Sequence, residues 1–463
     1  MSISNLATQI KSGKKSAASV VTEALEKAAK YSSYNIFTSL NKSAALSLAK
    51  KIDRKIAAGE PVGALAGVPF AVKDNILSPD GHTTASSKML ESFTSPITAT
   101  AIKKLQDQDA ILIGRTNLDA FGHGSSTENS YFGPTLNAHD KSRVAGGSSG
   151  GSAVAVALDI VPFALGTDTG SSIRLPAAYN GVYGFKPTYG AVSRYGVIAM
   201  VSSTDTVGCL TKHPADVDTV MSILSGQDPA DSTTLPDFYD HKTQPIQTIG
   251  VITDFGDISI DPEITKSQEA ILAKLQKSGC RIKELSMPTL RYALPVYSIL
   301  SAAEITSNFY RFDGIRYGHR SPSARTLTDI YVKSRNEGLM PENKLRIMFG
   351  NFVLATETYE DYFVKAQKVR TLIINEYAEA FQKVDAIITP VAPTPAFKLG
   401  AKSKDPAAML QTDALCVPVA LAGLPAIAIP AGQTKSGLPI GLQIIGPRRA
   451  DRAIINLAQE LAS

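Results

Sequence analysis

Cysteine is scarce in this sequence of 463 residues, with only Cys209, Cys280 and Cys416 present. Their number is odd, their spacing is wide and no CxxC occurs, so neither a disulfide framework nor a thiolate metal site is encoded. Histidine is equally sparse. The six are scattered with no HxxxH pair, and no metal site is expected. Dense Lys/Arg blocks are missing too. The formal net charge is +5, a mild excess for so large a surface. It permits contact with RNA without arguing for it, and the most basic short stretches, KSGKK and KIDRK (51–55), read as solvated helix faces. The opening residues, MSISNLATQIKSGKKSAASV, lack the charged-then-apolar order of a signal peptide. The expected setting is a reducing cytoplasm.

Long apolar runs are also rare. One charge-free stretch, LCVPVALAGLPAIAIPAG at 415–432, has the length of a membrane span. Pro418, Pro425 and Pro430 would break a helix there repeatedly. It is expected to be buried strand and turn, and no membrane association is expected.

What remains is ample material for a core: 44% hydrophobic and 19% charged residues. Residues 3–60 show helical periodicity, with Leu6, Ile10, Val20, Val21, Ala24, Leu25 and Ala28 on shared faces. VPFAV is a short apolar run suited to a buried strand. Residues 98–108 read as helix and AILIG (110–114) as strand. ALDIVPFALG (157–166) reads as a helix end passing into a strand. TIGVITDF (248–255) predicts a strand followed by a helix through Ile264, Ile271 and Leu275. Helical patterns dominate from about 290 to 382, and VDAIITPVAP, LPAIAIP and LPIGLQIIG read as strands. Strands alternating with helices give an α/β class with a substantial sheet. The Pro/Asp/Thr-rich stretch 227–245 is the best candidate for a surface excursion.

Two Gly/Ser clusters hold the chemistry. GGSSGG (146–151) is not a phosphate loop, because no G-x-x-x-x-G-K-[ST] follows and G-x-G-x-x-G is not matched. GTDTGSSIRLPAA (166–178) is suited to exposing a nucleophilic hydroxyl, Ser171 or Ser172, on a turn whose N–H groups face a developing oxyanion. Taken alone it would be an ordinary turn. No G-x-S-x-G elbow points to a histidine base. A neutral lysine can activate serine instead, and burial lowers a lysine pKa. Lys73, directly after GVPFAV, is the candidate.

GVPFAVKDN, GRTNLDAFGHGSSTENSYFGPTLN, AGGSSGGSAVAVA, GTDTGSSIRLPAAYNGVYGFKPTYGAVSRYG and LAGLPAIAIPAG, in that order, resemble the amidase signature family over nearly the whole chain. The resemblance implies an α/β amidase signature fold, a large mixed β-sheet core covered by α-helices on both faces. With it goes a single domain over 1–463, the helical segment of about 1–60 packing on it. It also implies a Ser-cisSer-Lys triad. Lys73 is the base, Ser148 the bridging serine with a cis peptide bond, and Ser172 the nucleophile. Backbone N–H groups of Thr169, Gly170, Ser171 and Ser172 would form the oxyanion hole.

RFDGIRYG (311–318), LRIMFG (345–350) and QKVRTLI (367–373) are similar to the branch of the family that hydrolyses glutamine inside tRNA-dependent amidotransferases. This implies ammonia supply for converting Glu-tRNA(Gln) to Gln-tRNA(Gln), with Asp-tRNA(Asn) to Asn-tRNA(Asn) left open. The implied partners form a heterotrimer. A B subunit carries the kinase and transamidation steps with ATP and Mg, and a small C subunit braces the assembly. Misacylated tRNA is met through the complex, and no cofactor is implied for this chain. By similarity Arg346 binds the glutamine carboxylate, Asp413 and Tyr297 hold its amino-acid end, and Ser125 and Thr169 line the pocket. Without the resemblance, Arg346 is a helix-surface arginine and Asp413 a helix N-cap. Three departures stand out: Ser171 replaces the usual glycine of DTGGSIR, His123 stands where an apolar residue is usual, and Cys209 where proline is common. His123 is expected to fill space. A stand-alone amidase is the rival reading, and a silent scaffold, supported only by Ser171, is the third.

Overall fold

The computed structural model describes residues 2–236, 243–403 and 405–462. Eleven strands form one sheet: β1 (Phe37–Leu40), β2 (Pro69–Lys73), β3 (Ile111–Thr116), β4 (Phe163–Asp168), β5 (Tyr183–Lys186), β6 (Thr206–Thr211), β7 (Thr248–Ile252), β8 (Arg281–Leu285), β9 (Ala386–Pro390), β10 (Ala426–Gln433) and β11 (Pro439–Ile445). The order across the sheet is β1-β3-β2-β4-β6-β5-β10-β11-β9-β7-β8. β2 pairs in parallel with β3 and β4, and β7 with β8 and β9, while the remaining pairs are antiparallel. Every residue of β2, β3, β4, β6, β9 and β11 is buried. Successive strand residues point to opposite faces, so such strands must be covered on both. The expected large mixed sheet between helical layers is borne out.

The strands expected at VPFAV, AILIG, the end of ALDIVPFALG, TIGVITDF, VDAIITPVAP, LPAIAIP and LPIGLQIIG are all present. Two expectations need correction. The stretch 3–60 is not helix throughout. Helices Ile3–Lys11, Ala17–Lys30 and Lys42–Ala57 are interrupted by β1, which pairs antiparallel with β3. β1 is four residues long and only half-buried, so it presents no apolar pattern to read. The stretch 415–432 is not only strand and turn either. Val417–Leu421 is a short helix with Pro418 in its first turn, where no N–H is needed. The prolines exclude one long helix, not a short one begun by proline. Among the described residues no helix is long and apolar enough to cross a membrane. Of the proposed excursion at 227–245, residues 237–242 lie outside the described residues. Before them, Asp228 accepts hydrogen bonds from Thr100 and Ser193 (both 2.6 Å), tying the loop to the body.

Two features of this fold position the site. β2 and β4 are parallel neighbours, so their carboxyl ends, Lys73 and Asp168, lie at the same edge of the sheet. Side chains beyond the carboxyl ends of parallel strands are the usual ligand positions of α/β sheets. Beside this edge, the helices Ala293–Asn308 and Pro341–Leu354 pack together and carry Tyr297 and Arg346. Their approach is close at Gly350, where a Cβ would fall 2.0 Å from the Ala302 carbonyl oxygen. Gly350→Ala is therefore expected to cost about 1–3 kcal/mol of stability. Thermal unfolding checks this, and an unchanged Tm would contradict the close approach.

Candidate active site

Lys73 ends β2 and is buried. Its Nζ donates to Ser148 Oγ at 2.7 Å, to Thr167 Oγ1 at 2.9 Å and to the Thr167 carbonyl at 3.3 Å. Burial pushes its pKa down to about 7, against the opposing charges of Asp119, Asp168 and Asp205. A large fraction of such a lysine is neutral near pH 7 and can accept a proton.

Ser148 lies in the turn that feeds the helix Gly150–Ala157, and the Gly147–Ser148 peptide bond is cis. The turn packs tightly. A Cβ on Gly147 would fall 2.1 Å from Asp119 Oδ2, so only glycine fits. Asp119 in turn accepts from the Thr127 amide at 2.8 Å and the Asn129 amide at 3.1 Å. Burial raises its pKa to about 6.

Ser172 sits on the loop between β4 and the helix Arg174–Asn180. This loop meets the first through the Ser149 amide, which donates to the Ser172 carbonyl at 3.1 Å. Lys73 and Ser148 are thus in direct contact. Ser172 is adjacent, but among the described residues its hydroxyl forms no hydrogen bond. Catalytic hydrogen bonds commonly tighten only in the substrate complex. Among the described hydrogen bonds, none uses the backbone N–H of Thr169, Gly170, Ser171 or Ser172. Unspent N–H donors next to a serine hydroxyl are what an oxyanion hole is built from.

A buried ion pair shapes that loop. Arg174 grips Asp168 with Nε (3.0 Å) and Nη2 (2.9 Å), both side chains being fully buried. It also donates to the Gly170 carbonyl at 2.5 Å, to Gln443 Oε1 at 2.9 Å and to the Cys416 carbonyl at 3.1 Å. Burial works against the charge of Asp168, but Arg174 outweighs it and holds the carboxyl below its ordinary pKa. The Thr169 hydroxyl donates to Asp205 at 2.6 Å. Its side chain is therefore committed to anchoring the loop, and its remaining donor toward the site is the backbone N–H.

The expected substrate residues fall into two groups. Ser125 and Arg346 line a cavity of 580 Å³, with His123 and Glu342 on the same wall. Arg346 gives its Nε–H to Glu342 at 2.7 Å. Its two Nη nitrogens have no protein acceptor among the described hydrogen bonds and remain a fork for an anion. Asp413 and Tyr297 lie nearer the nucleophile loop. Ser125 donates to one carboxylate oxygen of Asp413 and Ser171 to the other. Asp413 is not a side-chain N-cap. The Tyr297 ring lies against Gly170, and burial raises its phenol pKa. His123 is buried against Phe309, with ring centroids 4.9 Å apart, and its Nδ1 contacts Asn343 Nδ2 at 2.8 Å. Burial, then the Arg346 charge, lowers its pKa well below the ordinary value. It packs as a neutral ring. Among the described residues no cluster of three or more His, Cys, Asp or Glu side chains is arranged to hold a metal.

Five supporting residues escaped the sequence reading, among them Asp119 within GRTNLDAFGHG. Thr167, Asp168 and Arg174 lie inside the GTDTGSSIR motif but carry no signal that they are buried. Asp205 lies 33 positions beyond Ser172 in a stretch with no motif at all.

The chain matches the family described as Amidase over residues 19–455. The A subunit of the glutamyl-tRNA(Gln) amidotransferase of Koribacter versatilis (strain Ellin345) is 46% identical over 430 residues, covering 92% of this chain and 90% of that protein. The crystal structure of the A subunit of the glutamyl-tRNA(Gln) amidotransferase of Thermotoga maritima superposes with a TM-score of 0.78 at 35% identity, covering 96% of this chain and 90% of that one. A crystal structure described as an amidase gives 0.85 at 31% identity over 100% of this chain and 99% of that one.

The sign of the Lys73 shift sets a pH dependence. We propose that Lys73 is the base; a base acts when deprotonated, so kcat/KM for amide hydrolysis should rise as pH increases through about 7. A steady-state pH profile measures this. A rise only near the ordinary lysine pKa would remove Lys73 as the base.

Proposed function

This chain belongs to the amidase family, and on that premise we propose that it is the glutamine-hydrolysing A subunit of a glutamyl-tRNA(Gln) amidotransferase. The observation that carries the reading is the 2.7 Å contact between a buried lysine and Ser148, next to a serine on a loop of unspent N–H donors. The relatives at 46% and 35% identity that share nearly the full length carry that name.

In this mechanism Lys73 is neutral and Ser148 donates its proton across the same 2.7 Å contact to Nζ. Thr167 Oγ1 and the Thr167 carbonyl take the two amine N–H groups and aim the lone pair at Ser148. Ser148 in turn takes the proton of Ser172 as the Ser172 oxygen attacks the glutamine side-chain carbonyl carbon. The oxyanion is held by the N–H groups of Thr169 to Ser172. The carbon–nitrogen bond breaks, the proton returns along Ser148 to the leaving nitrogen, and ammonia departs. Water then cleaves the glutamyl ester on Ser172 by the same relay, giving glutamate.

The α-carboxylate of glutamine suits the free fork of Arg346, and its α-ammonium suits Asp413. The ammonia passes to a B subunit that uses ATP and Mg to activate Glu-tRNA(Gln), with a C subunit bracing the pair in the cytoplasm. Asp-tRNA(Asn) is a second acceptor where the cell supplies it. This chain itself carries no cofactor in the proposal.

Ser172→Ala should lower ammonia release from glutamine at least about a thousandfold, with the Tm retained. Ammonia release by the wild-type chain should be strongly stimulated by the B and C subunits, Glu-tRNA(Gln), ATP and Mg. Activity indifferent to those partners, and greater on other amides than on glutamine, would assign a stand-alone amidase instead.

A further inference from the structure

The turn that presents Ser148 is held from outside itself. Thr127, in the SSTENS stretch, is fully buried, and its backbone φ is +62°. A β-branched residue is an outlier there, so its surroundings must enforce the conformation. They do so at both of its polar ends. The Thr127 amide donates to Asp119 Oδ2 at 2.8 Å. The Thr127 hydroxyl donates to the Gly146 carbonyl at 2.7 Å and accepts from the Gly150 amide at 3.2 Å. Gly146 and Gly150 flank the Ser148 turn. The contacts are close: a Cβ on Gly150 would fall 2.3 Å from the Thr127 hydroxyl oxygen, and one on Gly147 would fall 2.1 Å from Asp119 Oδ2. The three carboxylates near Lys73 also differ in what else faces them. Asp168 is gripped by Arg174, and Asp205 lies near Arg194. The cation near Asp119 is Lys73 itself, and Glu128 is the carboxylate beside it.

We propose that Asp119 is a positioning residue: through Thr127 it fixes the turn that aims Ser148 at Lys73, and its carboxylate is the counter-charge for the ammonium that Lys73 becomes on taking the proton. This deepens the hydrolytic reading and rests on the relay of Lys73, Ser148 and Ser172, whichever amide is cleaved. In that relay the Ser148 O–H bond breaks as a bond to Nζ forms, and Ser148 takes the proton of Ser172. One positive charge is left on a buried nitrogen. Asp119 offsets it there without holding the lysine charged beforehand, because among the described residues no hydrogen bond joins the two.

The test measures kcat, KM and their pH profiles for glutamine hydrolysis by the complete amidotransferase carrying Thr127→Val, Thr127→Ser or Asp119→Asn, with the Tm of each. If the wild type cleaves another amide better, the same comparison is made with that amide. Thr127→Val removes the hydroxyl at nearly constant shape and should lower kcat about tenfold or more with KM unchanged. Thr127→Ser keeps the hydroxyl and should recover most of that loss. Asp119→Asn should lower kcat and move the rise in kcat/KM to a pH below about 7, since Asp168 and Asp205 alone would then favour the Lys73 ammonium. An unchanged kcat in Thr127→Val, or an equal loss in Thr127→Ser, overturns the inference. So does a lowered kcat in Asp119→Asn with the pH profile unmoved, which assigns the carboxylate to structure alone. If Asp119→Asn does not fold, the two Thr127 variants still decide. Failure of the relay itself shows elsewhere, as activity that survives Ser172→Ala.

Discussion

The buried pair of Asp168 and Arg174 is the constraint on which the rest of the site depends. Asp168 is the last residue of β4, and Arg174 begins the helix after the nucleophile loop. Two guanidinium hydrogen bonds and one from the Arg174 backbone N–H join them, and both side chains are fully buried. Four residues of the intervening loop, Thr169 to Ser172, can therefore leave their N–H groups unspent without collapsing. Removing one partner of such a pair costs about 3–5 kcal/mol, because the other charge is left buried and alone. Arg174 also reaches Gln443 on β11 and the Cys416 carbonyl, so the loop is braced against the far half of the sheet.

The same burial sets the chemistry. Lys73 lies near three carboxylates, Asp119, Asp168 and Asp205, each of which favours its charged form, yet desolvation outweighs them and brings its pKa to about 7. Each carboxylate has its own work. Asp168 answers Arg174, Asp119 accepts two backbone amides beside the cis turn, and Asp205 holds the Thr169 hydroxyl and the amides of Met200 and Val201. None of the three forms a hydrogen bond to the lysine among the described contacts. A direct ion pair would keep Lys73 charged and useless as a base. Carboxylates spent on structure, beside a lysine whose charged form burial disfavours, combine rigidity with a group able to take a proton near pH 7.

Recognition is separated from chemistry by one loop and joined to it by one carboxylate. Arg346 and Ser125 line the 580 Å³ cavity, while the Tyr297 ring lies against the nucleophile loop that carries Ser171. Asp413 links the two groups through the Ser125 and Ser171 hydroxyls. This arrangement accounts for the proposed preference for an amino-acid amide, with Arg346 and Asp413 addressing opposite charges of a zwitterion. It also gives His123 a plain role as a neutral ring packed on Phe309.

The apolar runs VPFAV, AILIG and the end of ALDIVPFALG marked these segments as buried strands, because a short run of consecutive apolar residues bounded by turn residues suits a strand covered on both faces. The ordered motifs likewise determined which lysine and serines to consider and the α/β class they belong to. The tertiary structure alone decided the rest. It brought Lys73 to within 2.7 Å of Ser148 across 75 residues of chain, and Ser125 to Asp413 across 288. It made β1 a strand amid helical sequence, since β3 offered an edge to pair with. It spent the Thr169 hydroxyl on Asp205 and turned the Ser171 side chain toward Asp413. Local sequence encodes propensity and periodicity. Burial, hydrogen-bond partners and pKa are properties of the surroundings, and those exist only once distant segments have packed.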